Sequence, residues 1–177
     1  MSRLLGHYEN FPEVIHGVAR FTHRISVRKL QQAILCTLYQ LNQETHRFSD
    51  IASHFPSKYE VSFEFGVAEG TTFNYLDKEE LERFQETIVK ESPPIFDVFC
   101  VVRYHVVDKE KRVPLKFDYH LVRFMFYKNS VELQVCHERG TQRLSLEDLI
   151  IFIIKRINEE LSQRRLKPLT RKHLRTL

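Results

Sequence analysis

The stretch that decides the fold is residues 95–137, IFDVFCVVRYHVVDKEKRVPLKFDYHLVRFMFYKNSVELQVCH. In its first part apolar side chains occupy every second position, with Phe96, Val98, Cys100, Val102, Tyr104 and Val106 on one side of an extended chain. Two interruptions rich in charge and turn residues, 108–113 and 128–130, divide it into strands over 95–107, 115–127 and 131–137. Strands joined by such short connections form an antiparallel meander.

Antiparallel partners have a constant index sum, so pairing 107 with 114 sets 105 against 116 and 103 against 118. Pairing 127 with 131 sets 120 against 138 by the same rule. This arithmetic turns Leu115, Phe117, Tyr119, Leu121, Leu133 and Val135 inward with the first strand's apolar side. It gathers Arg103, His105, Lys116, Asp118, His120 and Glu138 on the opposite face. Two histidines and two carboxylates on adjacent strands can bind a divalent metal or move protons near neutral pH. They equally fit a solvent-facing sheet surface whose opposite charges pair across strands, at about 0.2–1 kcal/mol each, and this plainer reading is preferred. Val122, Phe124 and Phe126 do not fit the scheme, because they land on the polar side and require a bulge or a cover.

Working outward, Ser26 caps a helix over 27–43 whose stripe is Val27, Leu30, Ile34, Leu38 and Leu41. A weaker strand, interrupted by Gly17, precedes it over 13–22. Residues 58–67 alternate with Val61, Phe63, Phe65 and Val67 on one face, and Gly70 turns the chain into a partner strand over 71–76. Asp77 and Glu80 begin a helix striped by Leu81, Phe84, Ile88 and Val89, which Pro93 and Pro94 follow. Ser145 and Asp148 begin a last helix of about eighteen residues. The order βα-ββα-βββ-α lacks the alternation of a doubly wound parallel sheet. It predicts a single α+β domain over 1–163, an antiparallel sheet with helices packed mainly on one face, followed by a basic tail over 164–177.

With 177 residues, of which 27 are Lys or Arg and 23 Asp or Glu, the chain is long enough for one core and is neither disordered nor fibrous. No apolar run approaches the roughly 18 residues of a membrane helix, so a soluble intracellular protein, cytoplasmic or nuclear, is expected. The three cysteines lack CxxC spacing, which argues against a disulfide framework or zinc ribbon. Cys36 and Cys100 read as core atoms, and Cys136, on the polar face, is the one thiol with reactive potential. Phosphate-cradling glycine loops, GxSxG and HExxH are absent, so no cofactor is expected. A helix-turn-helix over 27–43 and 49–55 fails because residues 56–57 lead directly into a strand.

Two features remain. Residues 149–154 are apolar at six successive positions, so one sheet cannot cover every side of that helix. Ile151, Phe152 and Ile154 are then either enclosed within the domain or form an interface with a partner or a second copy. Residues 155–177 carry a net charge of +6, through Lys155, Arg156, Arg164, Arg165, Lys167, Arg171, Lys172 and Arg175. Such a segment can contact nucleic acid or an acidic partner, although cations also suit a helix C-terminus. The resulting expectation is a non-enzymatic binding domain, a subunit of a larger assembly that uses this basic segment. A small metal-dependent or acid/base enzyme on the 95–138 polar face and a structural homo-oligomer are the alternatives.

Overall fold

The computed structural model describes residues 3–52, 58–108 and 111–177. Along the chain run β1 (Leu4–His7), β2 (Gly17–Thr22), α1 (Val27–Asn42), β3 (Thr45–Arg47), α2 (Phe48–Ile51), β4 (Tyr59–Glu69), β5 (Thr72–Tyr75) and α3 (Lys78–Lys90). There follow β6 (Ile95–Asp108), β7 (Lys111–Phe126), β8 (Ser130–Arg139), α4 (Leu146–Gln163) and β9 (Thr170–Thr176). Among the described residues one nine-stranded sheet forms in the order β1-β5-β4-β6-β7-β8-β2-β9, with β3 paired to β4, and every pairing is antiparallel. The fold is therefore α+β, as the element order predicts.

Three helix starts follow their sequence signals. Ser26 accepts from the Lys29 amide at 3.2 Å, Asp77 from Glu80 at 2.8 Å and Ser145 from Asp148 at 3.1 Å. The buried stripes of α1 and α4 and one side of α3 meet Val61, Phe63, Phe65 and Val67 of β4 in a single core. Val89, expected in the α3 stripe, is exposed instead. The predicted element order has no helix between α1 and β4, but α2 forms at the start of the 49–55 stretch, whose residues 53–55 lie outside those described.

The meander keeps its order but not its register. Near the turn Asp108 pairs with Lys111 and His105 with Pro114, then Tyr104 pairs with Lys116, leaving Leu115 as an extra residue. Proline offers no N–H to a ladder and is confined to edges and bulges, so the bulge sits beside Pro114. One inserted residue reverses the sidedness of all of β7 beyond it. Val122, Phe124 and Phe126 consequently enter the core, Asp118 and His120 go in with them, and Phe117 is turned out to 42% exposure. This corrects the expected face assignment of β7, while β6 and β8 keep theirs. The side chain of Leu115, expected to point inward, lies outside what is described.

The open face of the sheet is crossed by the chain itself. β1 and β2 are consecutive in sequence but stand near opposite ends of the sheet, and residues 8–16 connect them as a strap. The Tyr8 ring lies 4.7 Å from Phe73 of β5, its hydroxyl donates to Asp97 of β6, and Arg123 of β7 lies 4.5 Å over Phe11. Arg123 also clasps Asp97 at 2.7 and 2.9 Å. At the far end His16 accepts the His137 amide at 3.0 Å. Under the strap a second apolar cluster joins Phe73, Leu121 and Cys136 with Leu5, Tyr8, Phe11 and Phe99.

One side chain completes the edge of β4. β3 pairs at 60–62 and β5 at 66–69, leaving a gap between them. Asn42, at the end of α1, fills it by accepting from the Phe65 amide at 2.6 Å and donating to the Phe65 and Leu76 carbonyls at 3.0 and 3.1 Å. Asn42→Ala strands the Phe65 amide and the Leu76 carbonyl, while the Phe65 carbonyl keeps the Leu76 amide, and the expected loss is about 1–3 kcal/mol in urea unfolding; an unchanged midpoint would show that water replaces the amide.

Candidate functional site

The residues expected to form a polar surface on the meander are dispersed. Arg103 remains on the open face and ion-pairs Glu64 at 3.2 Å, while Glu138 and Lys116 are exposed. His105 is half-buried, with Nε2 3.1 Å from Ser62 Oγ. Asp118 and His120 are 0% exposed. They cannot meet a solvent-borne substrate there, and the acid/base and metal readings of that face lose their open site. Among the described residues no group of three or more His, Cys, Asp or Glu is placed to hold a metal ion.

What the interior does with Asp118 is structural. Its carboxylate accepts from the Tyr104 hydroxyl at 2.5 Å, the Gln142 amide at 2.7 Å and His137 Nε2 at 3.1 Å. Burial opposes its charge, but these donors outweigh burial and hold the carboxyl below its ordinary range. The Tyr104 oxygen accepts in turn from the Leu144 amide at 2.9 Å. Gly140 allows the close approach, because it sits at φ +118° and a Cβ there would lie 2.1 Å from Asp118 Oδ1. The network thus fixes the 140–144 connection, and with it the start of α4.

Cys136 is buried in the second apolar cluster. Burial, reinforced by Glu138, pushes its thiol up to about 11, so its reactive reading fails at neutral pH.

A different grouping emerges around α4. The expected basic tail is not a tail over Thr170–Thr176: this segment is β9, paired to β2 from Thr170↔Thr22 to Thr176↔Gly17. Leu174 packs on the core beside Ala19, which anchors the strand through its alternate positions. α4 ends at Gln163 with Arg164 as its C-cap; the next residue, Arg165, has a φ of +59°, a conformation usually given to Gly, and the Leu166 amide bonds back to the Leu161 carbonyl at 2.8 Å. Asn158 then pairs both backbone groups of Leu169, at 2.7 and 3.2 Å, and so directs the chain into β9.

Between α4 and the β2–β9 border lies a groove of about 530 Å³. Phe21, Ile151, Ile154 and Leu169 line its apolar part, while Lys155 and Arg171 stand with Asn158, Glu159 and Ser162 around them. The structure therefore brings together two sets of residues that the sequence treats separately, Ile151 and Ile154 with Lys155 and Arg171. It sets others apart. Phe152 is 7% exposed and packs inside the domain, with ring centroids 5.7 Å from Phe63 and 5.1 Å from His46. Arg156 is held by Glu44, and Arg164 by Glu160 and Cys36 Sγ. Lys155, Arg165, Lys167, Arg171, Lys172 and Arg175 are exposed, and no ion pair to any of them occurs among the described residues. Asn158 and Leu169 were not foreseen as site residues; the signal was Pro168, which forces a turn there and brings the next segment back along α4.

The comparisons add no relative, because no protein-family model, curated protein or solved structure matches the chain.

The buried imidazole yields a pH prediction. His120 has neither ring nitrogen hydrogen-bonded, and burial, helped by His137, depresses it to about 4. An unfolded histidine takes up its proton near pH 6.5, so stability present above that pH is lost as the pH falls toward 4, by about 3 kcal/mol. His120→Leu removes this titration, and its thermal midpoint should fall less between pH 6.5 and 4 than that of the parent. Parallel curves would rule out His120 as the acid-labile group.

Proposed function

We propose that this protein is a non-enzymatic interaction domain, a subunit that captures an acidic segment of a partner protein bearing apolar side chains. The observation that carries the reading is the α4–β9 groove, where an apolar floor lies beside Lys155 and Arg171, which have no ion-pair partner among the described residues. Ile151, at 43% exposure, offers apolar area that water covers in the free protein. Lys155 and Arg171 complement carboxylates at its border, which favours association rate and selectivity as well as affinity.

The groove favours protein over nucleic acid as occupant. Its one ring, Phe21, is buried and has no exposed face on which a base can stack. It also disfavours a second copy, since a two-fold contact through this patch would oppose like charges.

The measurement is fluorescence anisotropy with a labelled eight-residue peptide of alternating Glu and Leu, beside an all-Glu peptide of equal length. The alternating peptide should bind more tightly, and Ile151→Glu and Arg171→Glu should each weaken it about tenfold or more. Absence of binding, or binding indifferent to both substitutions, would overturn the reading. Dimerisation of the free protein that Ile151→Glu abolishes in sedimentation would do so as well, by giving the groove to another copy.

A further inference from the structure

On the opposite side of the sheet, we infer that the open face is a stacking platform for single-stranded nucleic acid, independent of the α4–β9 groove. The reversed sidedness of β7 turns Phe117 and Tyr119 outward beside Phe99 of β6. Ring centroids are 5.4 Å apart for Phe117–Tyr119 and 5.5 Å for Phe99–Tyr119, and the buried Phe73 backs Phe99 at 5.5 Å without offering a face of its own. Phe117 is exposed and the rings of Phe99 and Tyr119 are half-buried, on two adjacent strands in the middle of the sheet. Exposed aromatic faces at neighbouring positions bind successive bases with little regard to sequence.

Two hollows share Phe99 and Tyr119. One, of about 380 Å³, is bordered by Arg3, Arg103 and Glu64; the other, of about 340 Å³, lies between the sheet and the strap, beside His7, Asn10 and Arg139. Arg3 and Arg103 share the single Glu64 carboxylate at 3.1 and 3.2 Å, so these three side chains together carry one net positive charge beside the rings. That end suits phosphate. Beneath the strap the carboxylates of Glu9 and Glu138 outnumber the one arginine, Arg139, so this hollow suits an uncharged base whose edge donates to the carboxylates and bonds Asn10. The two hollows together give a base-and-backbone alternation that neither gives alone.

The probe is a fluorescein-labelled oligouridine 12-mer, with its oligodeoxythymidine counterpart, read by anisotropy. Wild-type protein should bind both. Phe117→Ala and Tyr119→Ala should each weaken binding about 5- to 150-fold, while Phe117→Tyr restores it. Arg103→Gln should reduce the steepness of the log-log salt dependence by about 0.7. A double Lys172→Glu, Arg175→Glu variant on β9 should leave binding unchanged. Folding of each variant is checked by its thermal midpoint, and Phe117 is the reference position because its ring is already exposed. The inference is overturned if the parent shows no binding at about 100 μM, the weak end of non-specific association. It is overturned equally if the β9 variant abolishes binding while Phe117→Ala does not, or if uridine monophosphate binds as tightly as the 12-mer.

Discussion

The pairing of β6 with β7 is the constraint on which the other features rest. Pro114 has no N–H to give, Leu115 is left without a partner, and from Lys116 onward each β7 side chain takes the face opposite to its expected one. Val98 then meets Val122 and Phe96 meets Phe124 across the ladder, and these pairs form the centre of the core. The same shift sends Asp118 to the Tyr104 hydroxyl and turns Phe117 and Tyr119 toward solvent. A single irregularity in the backbone therefore creates both the buried polar network and the aromatic open face.

A buried carboxylate needs its full set of donors, since its desolvation is costly and a missing partner leaves that cost uncompensated. Asp118 has donors from three directions, and one of them reaches the 140–144 connection that leads into α4. The orientation of α4 thereby depends on the meander, and so does the width of the groove beside it. The cations of β9 have a second role that coexists with binding. An edge strand exposes unpaired backbone groups, and Arg171, Lys172 and Arg175 discourage another sheet from adding there.

The sequence was legible wherever a local signal decided the outcome. Ser26, Asp77 and Ser145 announce three helices because each cap bond forms within four residues, and β4 shows its alternation because one face is wholly apolar. The β7 error was of another kind. Pro114 and the run Val122, Phe124, Phe126 were both visible, but only pairing with β6 fixes where the extra residue falls. β9 was missed because TRKHLRT carries almost no apolar periodicity; its extended form comes from hydrogen bonds to β2, which are distant in sequence. The groove could not be read for the same reason, since Lys155 and Arg171 meet only once that strand has returned along α4. The terminal cations were noticed, but composition alone could not separate Arg156 and Arg164, which have partners, from the neighbours without an ion pair among the described residues.

The strap has a mechanical consequence. From His7 to Gly17 the chain advances ten positions while the sheet order places six strand-to-strand steps between β1 and β2. Ten residues reach at most roughly 33–36 Å, and six steps across a flat sheet span about 29 Å. The connection has so little slack that it behaves as a bowstring, tolerating a curled sheet and resisting a flattened one. The curvature of the whole β-layer is thereby limited by the length of a nine-residue loop, and shortening that loop would bend the layer further.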